Sequence, residues 1–179
     1  MNTQKMSRMV AVLRGLVYLV IVLTIAEIVG AVLNDQKVYL DIGGELWSRA
    51  LSAFDAADRI VIIVGYGLSA TILVWGVYQL IRLCRLFDVG VIFAPETVRC
   101  FKRFAAALIT LAVYDTLRPL FLIGYLWARG SIPHAPDMDP VMILGFVQAD
   151  TLALGVLFFV ISRIMEIGLE LRSETELTI

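Results

Sequence analysis

Charge, histidine and cysteine are all scarce in this chain of 179 residues. Asp, Glu, Lys and Arg make up only 17% of it, against about 25% in an ordinary soluble domain. Hydrophobic residues make up 60%, and the mean hydropathy is +0.86. Water is therefore not its main solvent. With two cysteines, no CxxC pair and one histidine, the chain has no convincing soft-metal site. That histidine, His134, sits in the proline-punctuated run Ser131-Ile-Pro-His-Ala-Pro-Asp-Met-Asp-Pro140 and reads as a solvated turn residue. Walker A, GxSxG, HExxH and EF-hand patterns are all missing, which leaves no visible apparatus for soluble-type catalysis and no expected cofactor or metal. A net charge of −1 gives no electrostatic ground for direct nucleic-acid binding.

What is there is long apolar runs. Because the charges are clumped, four stretches of 20 or more mostly apolar residues remain, at about 9–33, 60–83, 104–128 and 141–165. Each is long enough to cross a hydrocarbon core of about 30 Å. Lys5, Arg8, Arg14, Arg82, Arg85, Arg99, Lys102, Arg103, Arg163 and Arg172 fall on one side of these spans. Lys37, Arg49, Arg59 and Arg129 fall on the other, and Arg118 falls inside one. Basic segments are retained in the cytoplasm, so both termini are expected there. Trp47, Tyr125 and Trp127 then lie near the outer boundary. The first span also fits a cleavable signal peptide, because Lys5, Arg8 and Arg14 precede or begin the uncharged run 15–26 and Val29-Gly30-Ala31 follows it. The apolar pattern resumes after Glu27 through Leu33, and this favours retention. The expected fold is an all-α integral membrane protein, a four-helix transmembrane bundle forming a single domain, with short interfacial helices and a cytoplasmic amphipathic tail over 166–179.

Cys84 and Cys100 both fall in the expected cytoplasmic connection, where a structural disulfide is disfavoured, and they read as packing residues. Between the first two spans, Trp47, Ala50, Leu51, Phe54 and Ala57 recur at helical spacing, which predicts a short helix on the outer interface or capping the bundle. Phe93-Ala-Pro-Glu96 suits a helix start, with Pro in the first turn and Glu at the positive end of the dipole. Beyond it Arg99, Lys102 and Arg103 offer charge to anionic lipid or to a docking partner. In the tail Glu166, Glu170 and Glu174 share a stripe, and the apolar finish at Leu177 and Ile179 suits docking.

The spans themselves carry charge. Glu27 lies in the first, Asp115 and Arg118 near the middle of the third, and Gln148 and Asp150 in the fourth. An Asp or Arg at mid-span costs about 2.5–3.5 kcal/mol, so these groups are expected to face one another in a polar interior centred on Arg118. Such a cluster serves as a register-fixing ion pair, as a site for a polar or ionic ligand, or as a proton relay, and the sequence leaves all three open. Gly145, Ala149 and Ala153 form a small-residue ridge on the fourth span. Gly65 with Ser69 and Gly67 with Thr71 form others on the second. Pro119 removes a backbone donor beside Asp115.

The run Gly90-Val-Ile-Phe93-Ala-Pro-Glu96, with Val98, Arg103 and the closing Glu176-Leu-Thr-Ile179, resembles the bacterial four-span family called domain of unknown function twenty-nine-seventy-five. Members of that family are often encoded beside a small Cro/CI-type helix-turn-helix regulator, so the resemblance implies a cytoplasmic DNA-binding partner. It implies no reaction. The leading expectation is a non-enzymatic sensor or tether whose Arg99, Lys102, Arg103, Glu170, Glu174, Leu177 and Ile179 meet that regulator. A small transporter or ligand-binding protein using the charged interior is a second reading, and a structural subunit of a membrane complex is a third. The lipid bilayer is a partner in each, and a homo-oligomer is compatible with all.

Overall fold

The computed structural model describes residues 11–12, 15, 18–26, 29–30, 37–42, 45–89, 94–132 and 147–176. Expectations for Glu27, His134, Gly145, Leu177, Ile179 and the side chain of Glu174 lie outside the described residues. The elements are a helix α1 over 18–26, strands β1 (Lys37–Ile42) and β2 (Glu45–Ala50), and a 3₁₀ turn at Leu51–Ala53. Three long helices follow: α2 (Ala56–Asp88), α3 (Pro95–Ala128) and α4 (Ala149–Glu176).

Each of the three long helices is long and apolar enough to cross a membrane. The 33 residues of α2 extend about 50 Å at 1.5 Å per residue, so the helix overruns the hydrocarbon core. In α3, Pro95 occupies the first turn and Glu96 follows it, while the amides of Thr97 and Val98 donate to the Ala94 carbonyl at 3.0 and 3.2 Å. Pro119 is accommodated inside α3, which runs unbroken as helix to Ala128. The other end of α3 closes in a Schellman turn. Gly130, at φ 72°, donates to the Trp127 carbonyl at 2.9 Å, and Ser131 donates to Leu126 at 2.9 Å. A side chain at position 130 would strain that left-handed backbone.

The helix expected around 45–57 is instead a strand followed by a 3₁₀ turn. β1 and β2 pair antiparallel with Leu40 opposite Trp47 and Lys37 opposite Ala50. Helical spacing of apolar residues was outweighed here by a neighbouring strand that satisfies the backbone. The fold is thus mostly helical and not all-α. The capping role does hold. Val38, Leu51 and Phe54 bury against Ile62 of α2 and Leu122, Ile123 and Leu126 of α3, with Trp47 packed alongside. Trp47 meets Phe54 edge to face at 5.9 Å.

α3 is the central helix, packed by both α2 and α4. It meets α2 closely at Gly76, where a Cβ would come within 2.9 Å of the Ala107 Cβ, and α4 at Gly155, where one would come within 2.8 Å of Ile109. Phe158 of α4 stacks on Phe101 at 6.1 Å and meets Phe104 edge to face at 4.9 Å. The expected ridge on the fourth span does not form this seam, because Ala149 and Ala153 are exposed; the close approach falls at Gly155. Away from the hairpin, Val77 and Ile81 of α2 pack with Ile21 of α1. Leu117, Phe121, Val156, Leu157, Val160 and Ile164 remain exposed, the surface an apolar solvent demands.

Candidate functional site

Three polar clusters hold charge on this scaffold. The first lies in the seam between α2 and α3, within the apolar runs. Asp115 and Arg118 are three residues apart on one helix face, and Arg118 Nη1 sits 3.0 Å from Asp115 Oδ1. Ser69 Oγ donates to the same oxygen at 2.7 Å. The Arg118 guanidinium carbon lies 4.3 Å from the centroid of the Tyr66 ring, whose face attracts a cation. Tyr114 donates its hydroxyl to the Gly65 carbonyl at 2.8 Å. Gly65 packs directly on both side chains, a Cβ there lying in ordinary van der Waals contact with Arg118 and Tyr114 at 3.8 Å. The pair is not sealed, with side chains 20% and 23% exposed for Arg118 and Asp115.

Asp115 and Arg118 therefore meet as expected, but Asp150 does not join them. It is exposed on α4 and makes no ion pair among the described residues. The reason is angular. Asp115 and Arg118 engage α2, whereas Thr116, one residue along and about 100° around the helix, faces α4. Its hydroxyl accepts the Gln148 amide at 3.4 Å, so Gln148 touches α3 through its backbone and leaves its side chain exposed. Ser69, Tyr66 and Tyr114 complete the cluster, and sequence reasoning missed them as partners. Ser69 was visible as a small residue at i+4 from Gly65; nothing in one sequence showed that it faces Asp115.

The second cluster is at the hairpin end. Asp58, in the first turn of α2, is 2% exposed. It accepts the Ser131 hydroxyl at 2.6 Å and Arg129 Nε at 3.4 Å, and the turn at Gly130 is what brings Ser131 to it. The hydrogen bond to Asp58 holds the Arg129 guanidinium above its usual value, so the cation stays charged. Arg49 of β2 reaches the Ser131 carbonyl at 3.4 Å and covers the Phe54 ring at 5.1 Å. Arg59 donates to the carbonyls of Ser52 and Phe54 at 3.3 and 3.1 Å. These bonds latch the hairpin and both helix ends together.

The third cluster is at the opposite end. Lys102 Nζ reaches both oxygens of Glu166 at 3.0 Å, and Arg163 reaches Glu166 at 2.6 Å. Arg99 pairs with Glu96 at 2.9 Å. Pro95, Val98, Arg99, Lys102, Glu166, Leu169 and Glu170 line a cleft of about 290 Å³ between the start of α3 and the end of α4. Of the residues expected to face a partner, Arg99, Lys102 and Glu170 are brought together here. Arg103 is exposed and is not among the lining residues. Cys84 and Cys100 are buried thiols that form no disulfide, in keeping with packing roles.

No group of three or more His, Cys, Asp or Glu side chains among the described residues could hold a metal ion. What these features define is a mostly helical chain with three helices long and apolar enough to cross a membrane, a hairpin cap, a charged seam and a two-helix cleft. The chain belongs to the family described as protein of unknown function (DUF2975), whose model matches residues 3–179. Comparison with curated proteins and with solved structures finds no match.

Proposed function

We propose that the chain is a non-enzymatic four-span protein of the bacterial inner membrane that holds a cytoplasmic helix-turn-helix regulator at the cleft between α3 and α4. In this reading both termini and the cleft are cytoplasmic and the hairpin cap is outside, following the distribution of Lys and Arg. The observation that carries it is the cleft itself. Apolar Pro95, Val98 and Leu169 lie between cations Arg99 and Lys102 and acids Glu166 and Glu170. That mixture suits a folded protein surface better than an anionic lipid headgroup, which would meet the acids as repulsion. The regulator as partner comes from the gene-neighbour habit that the family resemblance implies.

The test is co-purification in mild detergent of the whole chain with the helix-turn-helix protein encoded beside it. Co-elution that Leu169→Glu abolishes is the expected result, with Arg103→Ala as a control outside the cleft. Failure to co-elute, with and without residues 177–179, overturns the reading.

A further inference from the structure

We infer that a second copy of this chain completes the Arg118 site, the exposed Asp150 carboxylate of one protomer being received by the partly exposed Arg118 guanidinium of its neighbour. The argument is one of depth. The Gln148 amide on Thr116 and Gly155 on Ile109 fix the antiparallel register of α4 on α3 and place Asp150 level with Tyr114. Arg118 leans toward the start of its own helix, as its contact with Asp115 shows, so its guanidinium lies near the same level. Copies inserted the same way round keep that level in common, and lateral association leaves acid and cation facing across a single plane.

Each group is also incomplete alone. Among the described residues Arg118 spends only Nη1 on Asp115, leaving Nε and Nη2 without hydrogen-bond partners, although a guanidinium is built for two-pronged carboxylate binding. Asp150 has no cation within its own protomer among the described residues and stands on a helix whose exposed side chains include Leu154 and Leu157, with exposed Val147 just before it. A carboxylate left against acyl chains is costly, and intramembrane ionisable groups characteristically find one another. With Asp150 added, one guanidinium serves two carboxylates in neighbouring copies. The inference is independent of the regulator reading, since it concerns a face within the apolar runs rather than the cleft.

Light scattering of the whole chain in large lipid nanodiscs tests it first. Wild type is expected at a multiple of the 19.9 kDa protomer. Asp150→Asn should weaken association by about ten-fold, and Asp150→Glu should preserve it. A monomeric wild type, or Asp150→Asn assembling as tightly as wild type, overturns the inference. A second experiment leaves both charged residues in place. Chains carrying Ile63→Cys are co-expressed with chains carrying Val147→Cys and oxidised in the membrane. Both positions are exposed and close to the Arg118 level. A cross-linked dimer is expected above the background that each variant gives alone through Cys84 and Cys100. Its absence, with both chains present in the membrane, overturns the inference as well.

Discussion

Asp58 and Asp115 have the same two kinds of partner, a serine hydroxyl and an arginine, and the molecule uses them differently. Asp58 is 2% exposed while its cation, Arg129, is 47% exposed; the acid is buried in the cap and the charge opposite it is left at the surface. Asp115 and Arg118 are 23% and 20% exposed, so neither partner escapes the apolar runs. At the cap, water takes up whatever the protein leaves unpaired. In the seam nothing does, and each charge depends on the other. The same kinds of partner therefore make a latch at one level and an obligatory pair at the other.

That contrast predicts the largest effect in the seam. Arg118→Gln leaves the Asp115 carboxylate with Ser69 alone and should cost about 3–5 kcal/mol, the scale for orphaning one member of a buried pair. Thermal denaturation in detergent should show the loss, and adding Asp115→Asn to the same chain should recover most of it. If the double variant is as unstable as the single one, the pair is not obligatory and the contrast fails. At the cap, Ser131→Ala removes the shortest described side-chain bond to a buried carboxylate, the Ser131 hydroxyl at 2.6 Å, at about 1–3 kcal/mol. It should show as faster proteolysis of the hairpin with α2 and α3 still protected. Smaller again is Gly155→Ala. Its new methyl group meets Ile109 at 2.8 Å, but alanine regains roughly 0.5–1 kcal/mol of helix propensity, so the net loss should be about 1 kcal/mol. Gly67→Ala, with nothing within 4 Å, is the control and should not destabilise.

Much of the helical frame could be read from composition, because a hydrocarbon solvent imposes a coarse rule that a single sequence displays. α2 covers its expected span and extends four or five residues past it at each end, and α3 covers its own and begins nine residues earlier, at Pro95. The pairing of Asp115 with Arg118 was also legible, since a spacing of three fixes two side chains on one face whatever surrounds them. Partners on other helices were not. Asp150 was expected beside Arg118 by depth alone, and depth says nothing about rotation; Thr116 rather than Asp115 faces α4. The cap was misread for a related reason. Trp47, Leu51 and Phe54 do form one apolar surface, but a strand entering a 3₁₀ turn can present them as well as a helix can. The decision lay with β1, which offers its backbone as a hydrogen-bonding partner. Asp58 stood out in no pattern of the sequence, and only the chain reversal at Gly130 brings Ser131 and Arg129 to it.

The smallest expected stability effect lies at the end opposite the cap, where Lys102 is 37% exposed and its partner Glu166 is also held by Arg163. Removing Lys102 leaves the acid with one cation and with water, so Lys102→Ala should lower the melting temperature slightly in dilute buffer. The effect should vanish at 1 M salt, where the screening length is about 3 Å. The seam pair, withdrawn from solvent ions, should lose nothing on the same titration. Comparing Lys102→Ala with Arg118→Gln across a salt series therefore separates two kinds of ion pair in one molecule. A salt-insensitive Lys102→Ala would mean that the cleft is drier than its exposure indicates. A salt-sensitive Arg118→Gln would mean that water reaches Asp115, and the seam would then behave as a second surface latch.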